Sequence, residues 1–497
     1  MNIPEYIKHT LLELEKNNFE SFIVGGCVRD ILREKTPNDW DITTIARPED
    51  ILKIFPDGKY ENSFGTVILP IRDENEELVD VVEITTYRSE SGYSNNRHPD
   101  EVLFEDKLEK DLARRDFTVN AMAMKTIDSK LKIDSDLEKH SFINDNFIIV
   151  DLYGGQKDLK SKVLRAVGEP ENRFKEDALR MMRGIRLSSQ LSFTIEPKTE
   201  RAINKLSGNI KFISKERIRD ELIRILSSEN PYGGIVSLHE LGLLQYIIPE
   251  IEQGIGVEQN HHHTFTVFKH SLMSLKRCPS KDWRVRFAAL THDIAKPKTK
   301  KIIDGGATFY NHEIIGAKMI RKIMTRMKFS NVDTDKVVNL ISNHMFYYNV
   351  DEVTATSVRR LLRKAGPENM KDLMDLRIAD RLGSNVPKGK PYKLRHLEYM
   401  IEKVKNDPIS VKMLKINGND LMEKFGMKPG PKIGTILDVL LSEAIEDPSI
   451  NNQEYLEKRV AELNKLDLTE LRKKAKEKIE EKREADDTTM KKDFWVK

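Results

Sequence analysis

Two aspartates separated by one residue head a β-branched run in the segment Asn38-Asp39-Trp40-Asp41-Ile42. Side chains alternate along a strand, so we expect Asp39 and Asp41 to project from the same face. Neighbouring carboxylates repel each other and stay ionised when cations such as Mg²⁺, which also bind substrate phosphates, lie between them. The pair predicts a two-metal site for in-line phosphoryl transfer, whereas an isolated Asp-x-Asp is usually an ordinary surface feature.

A third acidic residue, Glu83, is the only charged residue between Val81 and Tyr87 in a later β-type run. In an alternating strand it faces either solvent or the same side as the two aspartates. We keep Glu83 as a candidate third carboxylate of the same site.

A pair of glycines precedes a predicted helix in the segment Val24-Gly25-Gly26-Cys27-Val28-Arg29-Asp30. Gly25 and Gly26 permit a tight turn and a close approach of the backbone to a ligand. Free N–H groups at the helix start and the guanidinium group of Arg29 suit the phosphates of a triphosphate. Taken alone, such a glycine pair more often marks a simple turn.

A doublet of arginines is followed by short polar residues in the segment Arg114-Arg115-Asp116-Phe117-Thr118-Val119-Asn120. Two adjacent guanidinium groups beside short polar side chains can hold phosphates and a ribose hydroxyl. This segment is therefore a second candidate for contact with a nucleotide.

These residues fall in a region whose pattern alternates between helix and strand, up to about residue 150. It opens with an amphipathic helix, and the last two β-type runs flank a polar connection suited to an antiparallel hairpin. After residue 151 helical periodicity dominates. The β-type runs are 19–24, 39–45, 66–71 and 78–86, and the helical stretches include 174–189, 215–228, 283–294 and 311–327.

The pattern predicts a multidomain chain, an α+β part followed by all-α parts. Stretches with proline and glycine near 230–234 and 386–391 are candidate boundaries. The predicted parts are 1–150, 151–229, 230–390 and 391–497.

Composition excludes several classes of protein. Basic residues exceed acidic ones by 83 − 80 = 3, so no global basic field attracts nucleic acid, and an RNA surface must come from local patches. No apolar run approaches the ~20 residues of a membrane span. The two cysteines give no disulfide framework, and we expect a cytoplasmic protein.

The motifs converge when they are taken together. Gly-Gly-x-Val-Arg-Asp, Asp-x-Asp and Arg-Arg-Asp-x-x-x-Asn follow one another within residues 25–120. In this order they resemble the head of class II tRNA nucleotidyltransferases and bacterial poly(A) polymerases, a family within the polymerase-β-like nucleotidyltransferase superfamily. Downstream, 151–159 resembles the family's hinge motif, 176–180 its nucleotide-selecting Glu-Asp-x-x-Arg motif and 216–221 its last neck motif.

The resemblance implies a polymerase-β-like head, a helical neck, an HD domain and a helical, tRNA-binding tail. It implies addition of C-C-A to the 3′ end of tRNA from CTP and ATP, with Mg²⁺ and without a nucleic-acid template. Residues implied to bind the nucleotide are Gly25, Gly26, Arg29, Arg114, Asp116, Asn120, Asp177, Arg180 and Arg183. The polar segment 88–100 is predicted to be a mobile loop, and the resemblance gives it a part in the switch from C to A addition.

Asp177 and Arg180 lie three residues apart on the predicted helix 174–189 and hence on one face. A carboxylate acceptor beside a guanidinium donor can mimic the hydrogen-bonding edge of a template base. By spacing alone the pair is typical of a surface salt bridge, and it is the family motif that favours base selection.

A second set of residues has the chemistry of a metal site. Imidazole and carboxylate groups suit a divalent ion. The set comprises His270, His292, Asp293, His312, His344 and Asp380. In this order it resembles the HD-domain metal phosphohydrolases, which implies a second divalent metal (Mn, Ni, Fe or Mg) and attack of a metal-bound hydroxide on a phosphate ester such as a 2′,3′-cyclic phosphate. The alternative is a relic HD fold that bridges neck and tail. His261 and His262 are not expected to be ligands, and His263 is left open.

Further alternatives remain open. Addition of only C or only A differs from C-C-A addition through a loop that one sequence defines poorly. A poly(A) polymerase would share the head, but the residues around 63–67 look more like the tRNA enzymes. A phosphohydrolase whose head merely binds RNA is disfavoured by the intact Asp39 and Asp41. The glycine-containing segments 416–421 and 426–434 suit either tRNA contact or an ordinary loop, and the oligomeric state is unknown.

Overall fold

The structure is a computed structural model. It describes residues 3–60, 65–91, 101–127, 134–144, 147–259, 265–303, 306–349, 353–386, 388–404, 410–467 and 470–471. Several predictions fall wholly or partly outside these residues: the histidines at 261–263, residues 92–100 of the proposed loop, residues 63 and 64 of the segment 63–67, and the end of the predicted tail from 472 to 497.

The N-terminal region is built on a mixed sheet with strand order β3-β4-β5-β2-β1-β8-β10-β9. Strands β2 and β5 are parallel, and the other neighbouring pairs are antiparallel. The strands of this region are β1 (Ser21–Val24), β2 (Trp40–Thr44), β3 (Lys59–Tyr60), β4 (Thr66–Arg72), β5 (Leu78–Thr86), β6 (Arg88–Ser91), β7 (Glu101–Phe104), β8 (Met122–Thr126), β9 (Ser141–Asn144) and β10 (Phe147–Asp151). Its helices are α1 (Glu5–Lys16), α2 (Gly26–Leu32), α3 (Pro48–Ile54), α4 (Leu108–Ala113) and α5 (Ser135–Glu138).

Apolar side chains explain why helices cover this sheet. In α1, Ile7, Leu11 and Leu14 recur at helical spacing and pack with Ile23 and Ile42 of the sheet. The predicted hairpin is confirmed, because β4 and β5 pair antiparallel around the polar connection. The proposed loop from residue 88 is wrong in its first four residues, which form β6 and pair with β7.

The rest of the described chain is almost entirely helical, as predicted. Its helices are α6 (Gly155–Ser161), α7 (Pro170–Glu176), α8 (Leu179–Leu191), α9 (Pro197–Leu206), α10 (Lys215–Ser227), α11 (Pro231–Glu240), α12 (Leu244–Ile247), α13 (Pro249–Glu252), α14 (Val267–Lys276), α15 (Trp283–Thr291), α16 (Lys296–Thr299), α17 (His312–Arg326), α18 (Asn331–Asn343), α19 (Ala355–Ala365), α20 (Met370–Gly383), α21 (Tyr392–Val404), α22 (Gly418–Phe425), α23 (Pro431–Glu446) and α24 (Gln453–Leu463). Four short strands join them: β11 (Val163–Leu164), β12 (Thr194–Ile195), β13 (Lys301–Ile303) and β14 (Gly306–Thr308). The predicted fold class, an α+β part followed by helical parts, is confirmed.

The continuous helix predicted over 174–189 is wrong. Helix α7 ends at Glu176 and α8 begins at Leu179. Asp177 adopts an extended backbone, with φ −137° and ψ 107°, and its carboxylate accepts a 2.9 Å hydrogen bond from the Leu179 N–H. An aspartate that binds a nearby backbone N–H favours such a break over a helix interior.

Packing does not follow the predicted boundary near 230. One apolar cluster runs from Phe117 to Val404 and includes Ile225 and Ile235 on either side of that stretch. A separate cluster runs from Leu414 to Leu471. The limits of the four predicted parts stay predictions. Among the described helices, none has the length and apolar character needed to span a membrane.

Candidate active site and candidate metal centre

A cavity of about 370 Å³ opens beside the sheet, where the N-terminal region meets α8 and α10. Arginines are the commonest of its lining residues, and aspartates are the acidic ones. The cavity is lined by Gly25, Gly26, Asp41, Arg88, Arg114, Arg115, Asp116, Asn120, Asp177, Arg180, Arg183 and Arg217. Six guanidinium groups against three carboxylates suit a polyanionic ligand such as a triphosphate.

Sheet register brings the acidic residues together. Val24, the last residue of β1, pairs with Asp41, so the turn at Gly25 lies beside that aspartate. Asp41 in turn pairs with Glu83 of the parallel strand β5. Neighbouring residues of paired strands point to the same side of a sheet, so Glu83 faces the side of Asp41. Asp39 lies just before β2 and is exposed.

Gly25 is the point of closest approach in this turn. Its φ is +85°, a conformation that side chains of L-residues rarely adopt. A Cβ atom at this position would lie 3.0 Å from Oδ2 of Asp41 and 3.1 Å from Nη1 of Arg115. A glycine is therefore required for the backbone to pass between the carboxylate and the guanidinium group.

Burial raises the pKa of Asp41, the positive charge of Arg115 lowers it, and the negative charge of Asp39 raises it again, so that the net shift is upward. An upward shift means that the surroundings disfavour the ionised form. A divalent cation shared by Asp39 and Asp41 would reverse that preference, and their oxygen donors are those that Mg²⁺ prefers. The acidic pair therefore fits a magnesium site.

Asp116, which lines the cavity, forms an ion pair with Arg183 of α8. Nε and Nη2 of Arg183 lie 2.8 and 2.7 Å from Oδ2 of Asp116. Burial alone would raise the pKa of Asp116, but the charge and hydrogen bond of Arg183 lower it to about 2. Asp116 is therefore an ionised anchor for Arg183 at neutral pH.

The two arginines of the doublet are held by a residue that sequence reasoning missed. Asp111 is fully buried in α4. It accepts hydrogen bonds of 2.6 Å from Arg114 Nη2 and 3.1 Å from Arg115 Nη2. Asp111 thereby fixes the direction of both guanidinium groups.

Arg29 lies next to the cavity and outside its lining. Its guanidinium group donates to Asp30 at 2.8 and 3.0 Å, and its Nη1 donates to Oδ1 of Asn120 at 2.8 Å. The geometry gives Arg29 the position of a support for Asn120.

The proposed base-selecting residues have separate partners. Arg217 Nη2 donates to Oδ2 of Asp177 at 2.7 Å. Arg180 Nη1 donates to Glu176 at 2.5 Å, and its Nη2 donates to the carbonyl of Arg114 at 3.0 Å. The idea that Asp177 and Arg180 share a helix face is wrong, because Asp177 precedes α8. Both nevertheless line the same cavity.

The second set of residues also comes together, among helices α14 to α20. His270, His292, Asp293, His312 and His344 are buried, and the side chain of Asp380 is 13% exposed. Oδ2 of Asp293 lies 3.3 Å from Nε2 of both His270 and His292. Oδ1 of Asp293 lies 3.3 Å from Nε2 of His312 and 4.0 Å from Nε2 of His344. The two oxygens of one carboxylate thus face two different histidine pairs.

Backbone carbonyls orient three of these imidazoles. Nδ1 of His292, His312 and His344 lies 2.9, 2.8 and 2.7 Å from the carbonyls of Ala289, Phe309 and Ile341. A carbonyl oxygen only accepts, so in the neutral imidazole, the form that binds a metal, Nδ1 carries the proton and Nε2 has the lone pair. Nε2 of His312 and of His344 is buried without a hydrogen-bond partner, as expected of ligand atoms.

Charges in this centre also fit a cation. Burial lowers the pKa of His292, but the negative charges of Asp293 and Asp380 raise it to about 10. Oδ1 of Asp380 lies 3.3 Å from Nε2 of His270 and 3.6 Å from Nε2 of His292. A divalent cation bound at these Nε2 atoms would supply the positive charge that the carboxylates attract.

Known protein families match three parts of the chain. The Poly A polymerase head domain matches 21–165, the "Probable RNA and SrmB-binding site of polymerase A" matches 192–255, and tRNA nucleotidyltransferase domain 2 matches 308–460. The A-adding tRNA nucleotidyltransferase of Deinococcus radiodurans is 33% identical over 433 residues, which are 84% of this chain and 90% of that protein. The CCA-adding enzyme of Ligilactobacillus salivarius is 33% identical over 467 residues, or 92% and 96% of the two chains. The chain belongs to the tRNA nucleotidyltransferase and poly(A) polymerase family.

Solved structures of this family share the fold. The CCA-adding enzyme of Bacillus stearothermophilus in complex with CTP superposes with a TM-score of 0.65 and 24% identity over 93% of this chain and 98% of that chain. As a member of the tRNA nucleotidyltransferase and poly(A) polymerase family, the protein is a nucleotidyltransferase, and enzymes of this family use divalent metal ions. The predicted polymerase-β-like head is confirmed.

The sequence predicted most lining residues of the cavity as single candidates, and three more lay only within predicted segments. Arg88, Arg115 and Arg217 line it as well. Arg115 lies in the arginine doublet and Arg217 lies in the last neck motif. These motifs were the sequence features from which both residues could have been predicted as lining residues. In the metal centre the missed residue is Lys296, whose Nζ lies 2.7 Å from Oδ2 of Asp293 and donates to Gln259 at 2.6 Å.

Proposed function

We propose that this protein adds C-C-A to the 3′ end of tRNA, taking CTP and ATP as substrates without a nucleic-acid template. The observation that carries the proposal is one cavity holding the acidic residue Asp41, six arginines, and the pair Asp177 and Arg180. The names of relatives that match over most of the chain, CCA-adding enzyme and A-adding tRNA nucleotidyltransferase, support the same reaction class.

The acidic and basic residues of the site have different proposed roles. Asp39 and Asp41, with Glu83 as a third carboxylate, would hold Mg²⁺. The metal when bound activates the attacking 3′ hydroxyl and neutralises the leaving pyrophosphate. The doublet Arg114 and Arg115, fixed by Asp111, would bind the triphosphate.

Base choice follows from what C and A share. Both bases present an amino donor next to a ring nitrogen that accepts, whereas U and G present a carbonyl and an N–H there. The Asp177 carboxylate can accept from the amino group and the Arg180 guanidinium can donate to the ring nitrogen. We infer that Arg180 exchanges Glu176 for the base, whereas Asp177 keeps its ion pair with Arg217 and accepts from the base with its remaining lone pairs.

Extension assays test this function. Purified protein is incubated with tRNA ending at the discriminator base, at C and at C-C, with CTP and ATP singly and together, and the new ends are sequenced. Addition that stops at C-C-A supports the proposal. Extension of only the C-C substrate by ATP would instead assign an A-adding enzyme, like the relative from Deinococcus radiodurans. A long A tail would assign a poly(A) polymerase.

A second function, hydrolysis of a phosphate ester, is favoured by the metal centre. We infer that this centre would hold divalent cations, Mn, Ni, Fe or Mg, on two groups of residues that have Asp293 in common: His270, His292 and Asp380 in one, His312 and His344 in the other. A metal held there would supply a nucleophile at neutral pH. Hydrolysis of RNA ending in a 2′,3′-cyclic phosphate, measured with each metal in turn, tests this function. A structural centre predicts no hydrolysis with any of them.

We also propose a cytoplasmic location. Cys27 and Cys278 are free thiols, and free thiols persist in a reducing compartment.

A further inference from the structure

Helix α21 carries a row of aromatic side chains on one face. Tyr392, His396 and Tyr399 are spaced at i, i+4 and i+7, which places them on one side of a helix. The ring centre of His396 lies 5.9 Å from the ring centre of Tyr392 and 6.0 Å from that of Tyr399. Tyr348 joins the row from outside the helix, with its hydroxyl 2.5 Å from Nδ1 of His396. We call Tyr348, Tyr392, His396 and Tyr399 the aromatic row.

Two of the four rings of the aromatic row face solvent, and Tyr348 and His396 are half-buried. Tyr392 is 61% exposed and Tyr399 is 60% exposed. The opposite side of α21 supplies the core residues Leu394 and Leu397. Single exposed apolar residues are common on protein surfaces, whereas contiguous exposed aromatic rings indicate a binding surface.

The aromatic row is connected to the metal centre by short links. Arg377 of α20 donates to Asp380 at 2.8 Å, and its guanidinium carbon lies 5.8 Å from the ring centre of Phe346. Phe346 and Tyr348 follow the metal-centre residue His344 by two and four positions. Phe346 and Tyr348 therefore join the aromatic row to the candidate metal centre through the chain that follows His344.

Charge identifies the class of ligand. Residues 388–404 contain five basic side chains and two acidic ones. Lys388, Lys393, Arg395 and Lys403 are exposed, and Lys390 is paired with Glu398 at 2.6 Å. By helical spacing Lys403 falls on the same face as the aromatic row. Exposed aromatic rings among basic side chains are the combination that binds single-stranded nucleic acid, by stacking and by contact with phosphates.

We propose that the aromatic row binds unpaired bases of single-stranded RNA and so delivers an RNA end to the metal centre. The proposal rests on the phosphohydrolase function proposed above and names its substrate class, an RNA with an unpaired end. Binding and hydrolysis are measured separately, so that the two proposals can fail independently.

Binding is measured with the full-length protein and a fluorescent A6 oligoribonucleotide that ends in a 2′,3′-cyclic phosphate, with a blunt RNA duplex as comparison. The double variant Tyr392→Ala/Tyr399→Ala should bind the single strand at least about tenfold more weakly, because each base–ring stack is lost. The double variant Tyr392→Phe/Tyr399→Phe should retain binding, since its rings still stack. Tyr60→Ala, which removes an exposed tyrosine of β3, should leave affinity unchanged.

Unchanged affinity in the double alanine variant would overturn the proposal. This is the result expected if the aromatic row binds a protein and not RNA. An equal loss in the phenylalanine variant, or for the duplex, would also overturn it. In hydrolysis assays, the alanine variant should raise KM for the oligonucleotide and leave KM for a 2′,3′-cyclic mononucleotide unchanged. If the wild type hydrolyses neither substrate but the single strand still needs the tyrosines, the phosphohydrolase fails and the binding surface stands.

Discussion

Asp177 is ion-paired with Arg217 of α10, at 2.7 Å between Oδ2 and Nη2, while Arg180 is ion-paired with Glu176. The two proposed base readers are therefore each held by a neighbour of opposite charge. Because Asp177 lies in the break between α7 and α8, its side chain is aimed by α10 as well as by its own backbone. This arrangement makes Arg217 a positioning residue for the Asp177 carboxylate.

Replacing Arg217 should impair both the rate and the choice of nucleotide. Arg217→Ala removes a charge-assisted hydrogen bond, which is worth about 1.5 to 3 kcal/mol, so kcat/KM for CTP and ATP should fall about 10- to 100-fold. Incorporation of UTP and GTP should rise relative to CTP and ATP, because Asp177 is no longer aimed. Arg217→Lys should recover part of the selectivity.

The matched control is Lys198→Ala, which breaks an exposed ion pair with Glu169. It should change neither the rate nor the selectivity. An Arg217→Ala enzyme with a lower rate but unaltered selectivity would assign Arg217 to structure alone.

Removing the charge of Asp41 should abolish activity and yet stabilise the fold. Burial raises the pKa of Asp41 above its usual value of 3.8, despite the opposing charge of Arg115. A raised carboxyl pKa means that ionisation costs folding free energy: the folded state is favoured below the unfolded pKa and loses that advantage as pH rises through the folded pKa. Asp41→Asn should therefore melt about 1 to 3 °C higher than wild type at pH 7.5 and add no nucleotides.

The difference in melting temperature should shrink as pH falls through the raised pKa of folded Asp41 and should vanish only below the usual value of 3.8, where Asp41 is protonated in both states. Mg²⁺ with CTP should raise the melting temperature of the wild type more than that of Asp41→Asn. Asp57→Asn, at an exposed turn position, should change neither quantity. A lower melting temperature for Asp41→Asn would contradict the assigned direction of the pKa shift.

The proposed ligation of two ions by Asp293 predicts a stepwise loss of metal across variants. Wild-type protein should contain about two divalent ions per chain, and His344→Ala or His270→Ala should each retain about one, because each removes a ligand of one ion. Asp293→Ala should retain none, since its oxygens face both histidine pairs. Metal content after gel filtration, measured by mass spectrometry, checks these values.

His239→Ala is the control, because His239 is paired with Glu252 outside this centre, and its metal content should match the wild type. Nucleotide addition should persist in all four variants. Equal metal content in Asp293→Ala and the wild type would rule out the centre as the place where the metal binds.

Local patterns predicted the parts of the head cavity that depend on neighbouring residues. Asp41 lies in β2 as the β-branched run predicted, whereas Asp39 lies just before that strand, and the glycine turn after β1 follows from Gly25 and Gly26. The residues of the candidate metal centre could be predicted as a set, because histidine and aspartate are recognisable in a sequence as possible metal ligands. Its geometry could not, since the meeting of Asp293 with His312 and His344 depends on packing among distant helices.

Partners that are distant in the chain could not be predicted either, because their contacts also depend on packing between distant elements. Nothing near Asp177 shows that Arg217, forty residues later, neutralises it. Asp111 resembles any acidic residue of a surface helix until its burial between Arg114 and Arg115 is seen. Helical periodicity also concealed the break at Asp177, because periodicity averages over several turns and a single side-chain hydrogen bond decides the break.

Gly25→Ala tests the close approach that joins the turn to the acidic site. A Cβ atom there meets Oδ2 of Asp41 at 3.0 Å, in addition to the strain of φ +85°. Gly256→Ala is a matched control: its φ is +69°, and no atom lies within 4 Å of the added Cβ. Gly256→Ala should lose about 1 kcal/mol of stability from backbone strain, and Gly25→Ala about 1 to 3 kcal/mol, because its φ of +85° with ψ of −139° lies in a region that side chains disfavour more strongly.

Only Gly25→Ala should also lose activity, by at least about 100-fold in kcat, because displacement of Asp41 by a few tenths of an ångström disturbs the metal site. Equilibrium unfolding and single-turnover addition of CTP to tRNA separate the two effects. Both variants introduce backbone strain, but only Gly25→Ala introduces a contact with Asp41. Comparable activity in the two variants would therefore show that the acidic pair tolerates displacement. The metal site would then need to be assigned to other carboxylates.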